Sequence, residues 1–154
     1  MRTLLLSLFL STSIFALSQD STVTFWEYAK DYEVGETGSQ SHEWGSEEIT
    51  YLGIINWKSP SGKELQIRVV VAWRKITKAN GFNDQTVLAL VKTNHGLIKT
   101  YDFVKRQNLP KSIENNELIY EINGAKAASP LPTKFSERFC VDGLTCFSEV
   151  DLSF

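Results

Sequence analysis

Cysteine is scarce in this 154-residue chain, present only at 140 and 146, and histidine is equally scarce, present only at 42 and 95. Neither supply fits a metal centre. His42-Glu43 and His95 lack the HExxH spacing that sets two imidazoles on one helical face, and a zinc site needs more ligands than two thiolates. Five residues lie between the cysteines where a redox pair usually has two. No serine sits in a Gly-x-Ser-x-Gly turn, so a nucleophile elbow is excluded. Glycoside hydrolysis needs two flanking carboxylates, and Glu43 and Glu48 are a conceivable pair, but nothing selects them from the other acids. No catalytic, metal or cofactor constellation is expected.

Long apolar runs are also missing after residue 17, as are repeats, low-complexity tracts and Gly/Ser linkers. The first absence excludes a membrane-spanning helix from the rest of the chain, and the others point to one domain. The apolar run that does exist is N-terminal. Arg2, then Leu4 to Leu10 and Ile14 to Ser18, has the basic start, short hydrophobic core and small residues of a secretory signal peptide, with cleavage expected before Gln19. Residues 19–154 form the expected exported domain, periplasmic or extracellular. In that setting an even cysteine count implies one disulfide, Cys140–Cys146, across a hairpin over 135–150 turned at Asp142-Gly143.

The strongest pattern is Lys63 to Lys75. Leu65, Ile67, Val69, Val71 and Trp73 share one parity, while Gln66, Arg68 and Arg74 share the other with Val70 and Ala72. A strand apolar on both faces belongs inside a sheet, with neighbours on each side. Residues 49–57 precede it across Ser59-Pro60-Ser61-Gly62, and residues 86–93, 97–104 and 118–122 continue the series. Further expectations are a first strand over 22–28, a long acidic loop over 29–48, an Asn-Gly turn within 78–84, and a helical turn near 109–115 opened by Pro110. The segment 125–133, with Pro130 and Pro132, suits only a sheet edge. Seven or eight strands joined by short turns predict an all-β, single-domain antiparallel meander, closed as a β-sandwich or, alternatively, as a small β-barrel.

Charge is unevenly spread. Residues 27–48 hold seven acids and one lysine, and residues 58–111 hold eleven bases and three acids. The acidic loop either folds over the basic strands or leaves both for an anionic or cationic partner. A chain of net charge −2 with no nucleic-acid-binding motif is not expected to bind nucleic acid. Among the four tryptophans, Trp57 and Trp73 fall at core positions, whereas Trp44 sits in the acidic loop without apolar neighbours. It serves there either as an exposed contact or as the loop's own anchor.

These features predict a small exported domain that binds a protein or another envelope component without chemistry. The expected contacts are Trp44, His42, Glu43, Glu47 and Glu48 in the loop and Arg68 and Arg74 on the basic strand. A carrier of a small apolar ligand inside a barrel is the alternative, and a polysaccharide hydrolase a third reading.

Overall fold

A computed structural model of the chain describes residues 24–78, 81–94, 96–103, 105–144 and 146–150. The expected signal peptide with its expected cleavage before Gln19, residues 79–80 of the expected Asn-Gly turn, and His95 lie outside the described residues.

Two long strands organise the domain. β2 (Gly45–Lys58) and β3 (Glu64–Lys78) pair antiparallel along almost their whole length. β1 (Thr37–His42) flanks β2, and β4 (Gly81–Lys92) flanks β3. β5 (Leu97–Asp102) follows β4, and the C-terminal hairpin of β9 (Arg138–Cys140) and β10 (Cys146–Glu149) completes a seven-stranded sheet in the order β1-β2-β3-β4-β5-β10-β9. Between β5 and β9 the chain builds a second sheet of β6 (Ser112–Glu114), β7 (Glu117–Ile122) and β8 (Ala125–Ser129). The protein is therefore an all-β antiparallel meander in two packed layers. β1 and β9 remain apart as opposite edges, so no closed barrel forms and the barrel alternative is overturned.

The double apolar parity of β3 is used on both faces. Ile67, Val69 and Val71 join Leu88, Leu90, Tyr101, Leu118 and Tyr120 in the core between the sheets. Val70 and Ala72 join Ile49, Tyr51, Val87, Ala89 and Val91 on the other face. An irregularity between Tyr51 and Gly53 inserts Leu52 into β2 and swaps its parity. Ile49 and Tyr51 consequently face the second core, while Leu52 and Ile55 face the first.

The second face is roofed by the N-terminal segment, where a first strand over 22–28 was expected. Thr22 and Val23 lie outside the described residues, and Phe25–Tyr28 is a helical turn, α1, continued by a 3-10 turn at Ala29–Asp31. The deciding residues are Thr24 and Glu27, spaced as in a capping box: the Glu27 carboxylate accepts the Thr24 backbone N–H at 3.0 Å. Phe25 and Ala29 are thereby buried on the sheet. Arg68 fastens the far end, donating through Nη2 to the carbonyls of Ala29 at 2.8 Å and Lys30 at 3.1 Å, with its guanidinium 4.5 Å from the centre of the Tyr51 ring.

Two other expectations are corrected. The stretch 29–48 is not one loop, because its second half is a hairpin: β1 pairs with β2 from Thr37↔Thr50 to His42↔Gly45 across the two-residue turn Glu43-Trp44. The helical turn near 109–115 is replaced by β6, preceded by a 3-10 turn at Arg106–Asn108, because Asn115 and Asn116 take φ values of 50° and 68° and close a tight hairpin into β7. Segment 125–133 takes the edge position expected of it: it contributes β8, on the edge of the small sheet and ending before Pro130. The described residues hold ten strands where seven or eight were expected. Cys140 and Cys146 are register partners at the end of the β9–β10 hairpin and form a disulfide, with Cα atoms 4.0 Å apart.

Candidate functional site

Four of the residues singled out from the sequence converge at one end of the large sheet. Glu47 and Arg74 are direct partners in the β2–β3 register and lie on the face covered by α1. Glu47 Oε2 accepts from Arg74 Nε at 3.0 Å, and Glu47 Oε1 meets His42 Nε2 at 3.0 Å. Both carboxylate oxygens are thus engaged. Glu47 is only 3% exposed and Arg74 5%, so neither is available to touch a partner. Their work is positioning.

What they position is aromatic. The His42 ring stacks on Trp44 with centroids 4.4 Å apart and planes within 10°. The Arg74 guanidinium lies 5.5 Å from the Trp44 ring and 5.0 Å from the Phe25 ring, so one cation serves the β1–β2 turn and α1 together. Tyr28 approaches the other side of the cluster, 6.3 Å from His42. The turn itself is pinned to the end of β3, where the Thr77 N–H donates to the Trp44 carbonyl at 2.7 Å. Gly45 is required at that contact: its φ is 145°, and a Cβ there would stand 1.9 Å from the Lys75 carbonyl oxygen.

Burial and charge act in opposition on Arg74. Desolvation pulls its pKa down from the ordinary arginine value, while the Glu47 charge and then the Glu47 hydrogen bond push it back. Desolvation is the larger effect, so the net shift is downward.

The remaining sequence candidates lie elsewhere. Glu43 is exposed in the turn beside Trp44. Glu48 points to the opposite face from Glu47 and pairs with Arg106, whose guanidinium lies 4.0 Å from the centre of the Trp73 ring. Lys75 approaches the same ring at 4.5 Å. Arg68 secures the N-terminal roof. The acidic segment therefore pairs with the basic segment at two points, Glu47 with Arg74 on β3 and Glu48 with Arg106 in the 3-10 turn, which accounts for part of the charge asymmetry by internal pairing.

A second site had no signal in the sequence beyond an unremarkable tryptophan. At the far end of β2 and β3 an open groove of about 440 Å³ is lined by Asn56, Trp57, Lys58, Glu64, Leu65 and Gln66. A smaller depression of about 150 Å³ shares Asn56, Trp57 and Lys58 and extends towards Asn116, Pro130 and Thr133. The Trp57 indole is half-buried, stacked on Phe135 at 4.7 Å, and donates through Nε1 to the Pro132 carbonyl at 2.8 Å.

Among the described residues no group of three or more His, Cys, Asp or Glu is placed to hold a metal ion, and no helix is long and apolar enough to cross a membrane. Compared with known proteins, the chain matches no family profile, no curated protein and no solved structure.

Proposed function

We propose that the protein is a small exported binding domain that engages a protein or another envelope component through the β1–β2 turn, with Trp44 as the central contact residue. The observation that carries this reading is the stack of Trp44 on His42 above the buried Glu47–Arg74 pair. A buried ion pair adds little to stability compared with apolar residues of the same volume, because the cost of desolvating two charges offsets their attraction. Its effect at this position is to hold one aromatic side chain in a single orientation on a surface turn. Aromatic residues fixed in advance of binding make strong contacts because little side-chain freedom is lost on association.

Export is part of the proposal. It is supported by the signal-like N-terminus and by the Cys140–Cys146 disulfide, a bond that persists in oxidising compartments. Glu43 would add charge at the rim of the contact, where it acts on encounter rate and salt dependence more than on affinity.

The test is affinity capture from envelope and culture extracts on immobilised residues 19–154, run in parallel with the Trp44→Ala variant. A partner retained by the native domain and lost by the variant supports the reading. Identical captures from both would show that the turn is not the contact surface.

A further inference from the structure

We propose that the outer edge of β1 takes up an extended, basic peptide segment as one further strand. This names the kind of partner for the contact surface proposed above and rests on that reading, since Trp44 stands at one end of the same edge.

The backbone provides the site. Among the described residues β1 has no strand on its outer side. Backbone groups along an antiparallel strand turn alternately towards one neighbour and the other. The Glu36 carbonyl accepts the Tyr51 N–H at 3.1 Å, so in the unbroken register that follows, Gly38, Gln40 and His42 bond to β2 while Thr37, Ser39 and Ser41 turn their N–H and C=O groups outward. All three are exposed and carry short hydroxyl side chains, which leaves that backbone accessible.

The other three sheet edges are guarded against such pairing by shortness, by charge or by proline. β9 has three residues, is cross-linked to β10 and carries the exposed Arg138. β6 also has three, preceded by Pro110 and Lys111. β8 carries Lys126 and stops before Pro130. β1 has none of these devices: its six residues pair with β2 without a bulge and include no lysine, arginine or proline.

Charge and aromatic rings select the occupant. Between residues 31 and 57 the chain holds six acids and no lysine or arginine, and the acids that bracket β1, Glu36 and Glu43, are both exposed. A segment with Lys or Arg at its ends meets opposite charge at each, whereas an acidic segment is repelled. A second copy of β1 would bring two acidic edges together. On the α1 face, the Tyr32 ring packs against Gly38, where a Cβ would stand 1.9 Å from its hydroxyl, and the Trp44 ring stacks on His42. Apolar residues at alternate positions of an incoming strand lie beside these rings. Main-chain hydrogen bonds then supply affinity, and the alternate side chains supply selectivity.

The test titrates residues 19–154 by calorimetry with the acetylated, amidated octapeptide Lys-Thr-Val-Thr-Tyr-Thr-Val-Lys and with its counterpart bearing Glu at both ends. The expected Kd for the first is between about 10 μM and about 1 mM, with the second at least about tenfold weaker. Ser39→Pro should weaken binding at least about tenfold; its N–H faces outward, so proline there breaks no bond to β2. A second measurement leaves the protein untouched: N-methylation of one alternate set of peptide amides should abolish binding, and methylation of the other set should be tolerated. Loss on Trp44→Ala with Ser39→Pro silent would keep the turn as the contact and overturn strand addition. Loss on Ser39→Pro with Trp44→Ala silent would support strand addition and overturn the role of Trp44. No binding of the basic peptide at millimolar concentration, equal binding of the acidic one, indifference to both methylated sets, or self-association abolished by Ser39→Pro would overturn the proposal.

Discussion

Glu47 and Arg74 face each other in the β2–β3 register and meet through Oε2 and Nε at 3.0 Å, with side chains 1% and 6% exposed. The pair lies 27 residues apart in sequence and ties the start of β2 to the far half of β3.

Removing one partner leaves a buried charge without compensation. Glu47→Gln is expected to destabilise the domain by about 3 to 5 kcal/mol, whereas Glu47→Leu combined with Arg74→Met should be close to neutral. Urea unfolding of the two variants checks this. A single variant as stable as the native domain would contradict the positioning role assigned to the pair.

Alkaline stability should be limited by two tyrosines. Burial raises the Tyr120 pKa well above the ordinary tyrosine value, and burial followed by the Glu149 charge pushes Tyr101 up to about 12. A raised folded-state pKa means that the unfolded chain releases its proton first, so stability is intact below about pH 10 and declines as pH rises from there towards 12. Tyrosinate absorbance near 295 nm should appear together with loss of near-ultraviolet circular dichroism over that window. Ionisation of all tyrosines near pH 10 with the fold retained would refute it.

The Tyr120 hydroxyl is buried and finds no hydrogen-bond partner among the described residues, although its ring stacks with Phe103. Deleting an unpartnered buried hydroxyl removes a desolvation cost, so Tyr120→Phe should stabilise by about 1 kcal/mol and extend stability to higher pH. A drop in melting temperature would show that the hydroxyl does have a partner.

The Cys140–Cys146 bond closes a short ring at the sheet edge. In the chain-entropy account a ring of this size contributes about 2 kcal/mol, and Phe139 and Phe147 beside the cysteines are buried in the main core. The double Cys→Ser variant should therefore melt several degrees lower but remain folded. Complete unfolding on reduction would mean that the hairpin anchors more of the core than its position indicates.

Legibility followed side-chain pattern. β3 was readable because its parity is strict and both of its faces are buried, and the disulfide hairpin was readable from Asp142-Gly143 between two cysteines. β1 was not, because its sequence, Thr-Gly-Ser-Gln-Ser-His, belongs to an edge strand with no apolar side chain to announce a face. α1 was mistaken for a strand because Phe25, Trp26 and Tyr28 carry strand propensity, yet the Thr24 and Glu27 spacing held the contrary signal. At the site, Trp44 stood out as an isolated tryptophan. Its dependence on Glu47 and Arg74 became visible only with the register, since pairing between strands, rather than spacing along the chain, brings those charges together. The tie between Asn116 and the backbone of Asn56 was illegible for the same reason, since it joins the two sheets across 60 residues of chain.

If Trp44, oriented by His42 and the Glu47–Arg74 pair, carries binding, its removal must cost affinity directly. The most direct measurement is the affinity of the captured partner for the native domain and for Trp44→Ala, with urea unfolding of both as a control. A contact residue of this kind predicts a loss of at least about 2 kcal/mol, roughly thirtyfold in Kd, in a variant that remains folded. An unchanged Kd would contradict the claim and reduce Trp44 to an anchor of its own turn.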